Sequence, residues 1–161
     1  KDISISGGEL FINGEDVADI FVKYSILNGC ETNKDEAILM IDEFPILAIA
    51  ASFANSPSIF RGLSELRIKE SNRLKLIRDN LCICGIYSEI NGDDLLIDPL
   101  KKISVKSNII ETNSDHRIAM SFLILGSKLG TDLNIKEAEF INTSFPFFKD
   151  IFNSVGGKLF E

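Results

Sequence analysis

The stretch "ELRIKESNRLKLI", residues 65–77, carries two messages at once. Its leucines and isoleucines have the spacing of a helix, which predicts one from about Glu70 to Cys84 with Gly85 as its C-terminal stop. Its beginning, however, is crowded by Arg67, Lys69, Glu70 and Arg73. Cations in a first helical turn oppose the macrodipole unless an acid or a bound anion compensates them. The plainer reading is a solvated charged face in which Glu70 pairs with Arg73 three residues on.

Working outward, "IYSEINGDDLLID" after this helix predicts a β-hairpin, because two β-like runs flank Asn91-Gly92. Before it, "PSIFRGL" predicts a strand, and "IDEFPILAIAASFANS" a helix from about Pro45 to Ala54 with Asp42 or Glu43 as N-terminal acids. "ADIFVKYS" alternates as a strand after a polar opening. The order then restarts: "NIIETN" as strand, "DHRIAMSFLILGSKLG" as helix, "TDLNIKE" as strand, "FPFFKDIFNSVGG" as helix and "KLFE" as a terminal strand. The fold class is therefore α/β (α+β), with one βαβαββ unit at about residues 17–98 and most of a second at about 107–161.

Composition limits the function. The 161 residues are 45% hydrophobic and 25% charged, enough for a sizeable core, and the net charge of −7 argues against a non-specific nucleic-acid or membrane binder. Any anion site must be local. Cys30, Cys82 and Cys84 offer no disulfide framework, and with His116 as the one histidine no metal site is expected. No apolar run approaches a membrane span, so a soluble, cytoplasmic protein is expected.

Asp42, the Lys69/Glu70/Arg73 group and Asp115/Arg117 all fall at predicted helix starts, where free N–H groups favour anions. If those starts converge, an acidic pair, Asp42 and Glu70, stands among three cations. That set suits proton removal and proton supply on a phosphorylated or carboxylated substrate. Taken singly, Asp42 and Asp115 also read as helix caps, and Arg117 as a partner of Asp115.

The motifs "IDEFPILAIAASFA", "GLSELRIKESNRL", "DHRIAMSFLILG" and "TSFPFF", with "GEDVADIFVKYS" before them, resemble in order those of the 3-phosphoshikimate 1-carboxyvinyltransferase (5-enolpyruvylshikimate-3-phosphate synthase) family. The resemblance implies the enolpyruvyl transferase fold, helices packed inside sheets, and no cofactor. It implies transfer of the enolpyruvyl group of phosphoenolpyruvate to the 5-hydroxyl of shikimate 3-phosphate, in the pathway to chorismate and the aromatic amino acids. On it, Asp42 is the base and a shikimate 3-phosphate contact, Lys69 a second contact to that substrate, Glu70 the acid, and Arg73 with Arg117 the phosphoenolpyruvate clamp.

The resemblance has departures. Asn72 stands where many relatives have Asp, and Thr143 where one branch has Lys near "SFP"; the wording "MIDEFP", "TSFP" and "DHRIAMSFL" resembles the other branch, whose members are less sensitive to glyphosate. Family members are well over twice as long, with two domains of three βαβαββ units each, so this chain resembles a C-terminal portion. The N-terminal portion is then its expected partner, and the chain by itself is expected to be inactive. A non-catalytic remnant or assembly domain is the alternative. So is a related UDP-N-acetylglucosamine enolpyruvyl transferase, although that family's loop cysteine lies outside the matched region.

Overall fold

The computed structural model describes residues 3–10 and 16–160. Strand β1 (Ile3–Leu10) pairs antiparallel with β2 (Asp16–Val22), with an irregularity between Ser6 and Glu9 where Gly7 takes a φ of 70°. This corrects two expectations. The opening is a strand, whose alternation Gly7 and Gly8 interrupt. The strand expected over 18–25 ends at Val22 and closes a separate hairpin; it does not open the βαβαββ order.

That order begins at β3 (Glu31–Thr32), followed by helix α1 (Lys34–Leu39). Neither was anticipated, yet α1 has a complete capping box: Asn33 Oδ1 accepts from Asp35 N and Glu36 N, while Asn33 N donates to Glu36 Oε2. A 3-10 turn (Ile41–Glu43) leads into α2 (Phe44–Ala51), which carries Pro45 in its first turn. Strand β4 (Ser58–Phe60) pairs parallel with β3. After a 3-10 turn at Ser64–Arg67 comes α3 (Arg73–Ile83), three residues later than predicted, closed by Gly85 at φ 84°.

Strands β5 (Ile86–Asn91) and β6 (Asp94–Lys102) form the predicted hairpin, but its turn residues are Gly92 and Asp93, because Asn91 still pairs with Asp94. Gly92 alone bends left, at φ 61°, the pattern of a turn with glycine in first position. The sheet order is β3-β4-β6-β5.

In the second part, β7 (Ile109–Ile110) and β8 (Asn134–Ile135) pair in parallel as two-residue strands, shorter than expected. Between them α4 (His116–Leu129) has both predicted ends, Asp115 as N-cap and Gly130 in the left-handed conformation. Helix α5 (Phe148–Ser154) follows. The strand expected at "KLFE" is absent over 158–160, and Glu161 lies outside the described residues.

The core lies where α2, α3 and α4 meet the inner face of the sheet. Phe44 and Ala48 from α2, Leu74, Ile77 and Leu81 from α3, and Ile118, Phe122 and Leu125 from α4 bury against Phe60, Leu95 and Ile97. Each such large side chain contributes about 1.5–3 kcal/mol by leaving water. The Phe44 and Phe60 rings meet edge to face at 5.3 Å. Small residues on α2, Ala48 and Ala51, let its backbone come close to α4. This packing fixes the starts of α2, α3 and α4 beside one another. Among the described residues no helix is long and apolar enough to cross a membrane.

Candidate active site

Arg73, the first residue of α3, is the centre of the arrangement and is fully buried. Its Nε donates to Asp115 Oδ2 at 2.8 Å and its Nη1 to Asp42 Oδ1 at 2.9 Å. Its Nη2 lies 2.6 Å from Glu70 Oε2, close enough for an ion pair but at an angle that makes no hydrogen bond. A buried guanidinium is tolerated only with such company.

The cations at the helix start are therefore compensated by acids of the chain itself. Lys69 and Glu70 also lie before the helix rather than in its first turn, because α3 begins at Arg73 with Asn72 as its cap. Asn72 Oδ1 accepts from Lys75 N at 3.0 Å, the bond an Asp would accept at the same place, so this departure from relatives leaves the cap intact.

Asp42 sits in the 3-10 turn ahead of α2 and makes no capping bond there. Its side chain instead meets Lys69 Nζ at 3.3 Å and Arg73, with Arg117 Nη2 at 4.0 Å. Partial burial pushes its pKa up, but Lys69, then Arg117 and Arg73, outweigh this and hold it below the usual range. Arg117, the second residue of α4, does not pair with Asp115 through its side chain. It donates from Nη1 to the Asp42 carbonyl at 3.1 Å and toward Glu43 Oε1 at 3.5 Å.

Asp115 is both a cap and more than a cap. Oδ1 accepts from Arg117 N and Ile118 N, at 3.0 and 3.3 Å, and Oδ2 from Ser71 Oγ at 2.8 Å as well as from Arg73. Burial raises its pKa, and Arg73, Ser71 and the Ile118 N–H reverse the shift, leaving it low. The loop before it is held in an unusual shape: Asn113 and Ser114 have φ of 50° and 61°. Ser114 N donates to Glu137 Oε2 at 2.6 Å, and Glu137 is itself left-handed at φ 54°. Such residues cost about 1–2 kcal/mol each.

The structure thus brings Asp42, Lys69, Glu70, Arg73 and Arg117 onto one face from three separated segments. Two partners were not legible as such, Ser71 and the Asp115 bond to Arg73. Lys69, Arg73 and Arg117 face Asp42, Glu43, Glu70 and Asp115, so the cations are already occupied and an anion must draw them from internal partners. Thr143 ends a 3-10 turn at Ala138–Thr143, with its Oγ1 donating to the Phe140 carbonyl at 2.7 Å.

Comparison with known proteins adds to this geometry. Residues 5–152 match the family described as EPSP synthase (3-phosphoshikimate 1-carboxyvinyltransferase). The chain is 42% identical over 146 residues to the 3-phosphoshikimate 1-carboxyvinyltransferase of Paramagnetospirillum magneticum, covering 91% of this chain and 33% of that protein. With the enzyme of the same name from Rhizobium johnstonii it is 41% identical over 163 residues, 98% of this chain and 36% of the relative. A solved EPSP synthase structure from Acinetobacter baumannii superposes with a TM-score of 0.86 at 37% identity, over 98% of this chain and 36% of that one. The chain spans about a third of the length of these curated relatives.

Proposed function

The chain belongs to the 3-phosphoshikimate 1-carboxyvinyltransferase (EPSP synthase) family, and from that premise we propose that its clustered face supplies one side of the site joining phosphoenolpyruvate to shikimate 3-phosphate, in the cytoplasm. The observation that carries the reading is the gathering of a proton acceptor, a proton donor and two further cations, Lys69 and Arg117, around Arg73. The other side of the site lies in the portion of the relatives that this chain does not cover.

In this reading the 5-hydroxyl oxygen of shikimate 3-phosphate bonds to C2 of phosphoenolpyruvate as Asp42 accepts the hydroxyl proton. Glu70 delivers a proton to the methylene carbon, which becomes a methyl group in a tetrahedral intermediate. Phosphate then leaves with the electron pair of the C2–O bond and takes up the proton that Asp42 holds, while the methyl group returns its proton to Glu70 and the double bond is restored. Lys69 lies toward the shikimate substrate, and Arg117 and Arg73 toward the phosphate and carboxylate of phosphoenolpyruvate, which suit guanidinium forks.

The electrostatics make Asp42 a conditional base. While Lys69, Arg117 and Arg73 surround it, it holds a proton weakly. Once those cations turn to substrate phosphates, its proton affinity rises toward the usual carboxylate value. Glu70, with a side chain 54% exposed, covers Arg73 Nη2 and must swing aside before Arg73 reaches a ligand. That movement also carries the carboxyl toward the substrates.

The test is a chimera in which this chain replaces the matching segment of the Rhizobium johnstonii relative, assayed for phosphate release. The expected result is release that requires both substrates and falls in Arg117→Ala. A folded chimera that releases no phosphate, beside a parent enzyme that does, would overturn the reading.

A further inference from the structure

We propose that Asp115 is a positioning residue that sets both arginines of this face at once, Arg73 through its side chain and Arg117 through the backbone. Its carboxylate is fully buried and each oxygen is taken twice: Oδ2 by Arg73 Nε and Ser71 Oγ, Oδ1 by Arg117 N and Ile118 N. With four donors on it, the group has no free position for a ligand, so it acts through the arginines and not on a substrate.

Two oxygens on one rigid plane thus relate the start of α3 to the start of α4. Arg73 and Asp115 are 42 residues apart in the chain, and Ser71 and Asp115 44. Ser71 completes the division of labour by joining Arg73 on Oδ2 and leaving Oδ1 to the helix. Asp115 is itself anchored: its N–H donates to the Thr112 carbonyl at 3.1 Å, and the adjoining Ser114 is tied to Glu137. With the first turn of α4 so held, the Arg117 side chain arrives at the Asp42 carbonyl beside Arg73. A misplacement of about 1 Å between two such groups costs on the order of 10²-fold in a reaction that needs both.

An ordinary N-cap makes a different prediction, because Asn caps as well as Asp. The consequence for ligands rests on the functional reading above; the arrangement of the arginines does not. The experiment uses the 161-residue chain labelled with 15N in its arginine side chains, and follows the Nε–H signals of Arg73 and Arg117 with titrations of phosphoenolpyruvate and inorganic phosphate.

Asp115→Asn keeps the cap and loses the charge, so Arg73 Nε–H exchange with water rises about tenfold or more while Arg117 stays in place. Asp115→Ala loses both, so both signals move, and phosphoenolpyruvate affinity falls about tenfold or more in either variant. Ser71→Ala shows the Arg73 effect in weaker form and carries that arm if Asp115→Asn does not fold. Asp115→Ala combined with Arg73→Met removes both buried charges together and reads Arg117 if Asp115→Ala does not fold.

Arginine signals unchanged from the wild type would overturn the proposal, and so would signals that move while affinity stays the same. Where the wild-type chain alone binds neither anion, the titrations are made on the chimera; a folded chimera that binds neither refutes the functional reading instead, and the two arginine signals still decide the positioning.

Discussion

Arg73 Nε and Asp115 Oδ2 meet at 2.8 Å with both side chains fully out of water. Such a pair stabilises little relative to apolar substitutes, but losing one member strands the other. Arg73→Met is expected to cost about 3–5 kcal/mol, because it leaves Asp115 buried without its counter-charge. Urea midpoints of the single variant and of Arg73→Met with Asp115→Ala check this. The double variant should recover part of the loss.

Acid should weaken the same cluster. Asp42 and Asp115 both ionise more readily in the folded protein than at the ordinary aspartate value of 3.8. Their stabilising contribution is thus fully present above that value and is lost as pH falls through their lower folded values. Melting temperatures measured from pH 7 down to pH 3 should decline at the acid end. The decline should be shallower in Asp115→Asn, since that group no longer takes up a proton on unfolding.

Proton transfer in the chimera separates two carboxylates. Glu70→Gln keeps the shape and loses the transferable proton, so kcat should fall by about 10²–10⁴-fold with little change in KM. Asp42→Ala should lower kcat and also raise KM for shikimate 3-phosphate. The variant should be less stable too, because Arg73 Nη1 loses its partner; steady-state phosphate release with melting curves reads all three.

The isolated 161-residue chain should release no detectable phosphate from both substrates together. A face open to water on one side holds neither orientation nor electrostatic strength. Turnover by the purified chain would refute this.

Gly29 tests the entry to the sheet. A Cβ there would lie 2.0 Å from the Pro57 carbonyl oxygen, which is backbone and cannot rotate away. Gly29→Ala should push apart the segments that bring β3 to β4, costing about 1–3 kcal/mol. A urea midpoint equal to that of the wild type would show that the segment yields freely.

What the sequence made legible follows from how local each signal is. Helix α4 was readable at both ends because Asp115 and Gly130 act within one turn of it, and the β5–β6 hairpin because its turn chemistry is contiguous. Helix α1 escaped notice because only Ala37 of its six residues is buried, which leaves no apolar period to see. Strand β3 is two residues long, too short for any alternation, whereas β7 and β8 stood out as apolar runs but pair over only two residues each. At the site, Asp42, Lys69, Glu70, Arg73 and Arg117 stood out through their motifs. The bond between Arg73 and Asp115 did not, since a contact across 42 residues leaves no trace in local spacing. The charge at the start of residues 65–77 accordingly found its counterpart in distant acids of the same chain.

The clamp between Ser114 and Glu137 bears on how the chain ages. Asparagine deamidates when the next residue's backbone nitrogen attacks its side-chain carbonyl and closes a succinimide ring. At Asn113 that nitrogen belongs to Ser114, which is committed to Glu137 Oε2 in a left-handed loop and poorly placed to attack. Asn91 is the opposite case, exposed and followed by the small, exposed Gly92 at a hairpin turn. Of these two asparagines, chemical wear in the folded protein should therefore favour the one at the outer hairpin and spare the loop that carries Asp115.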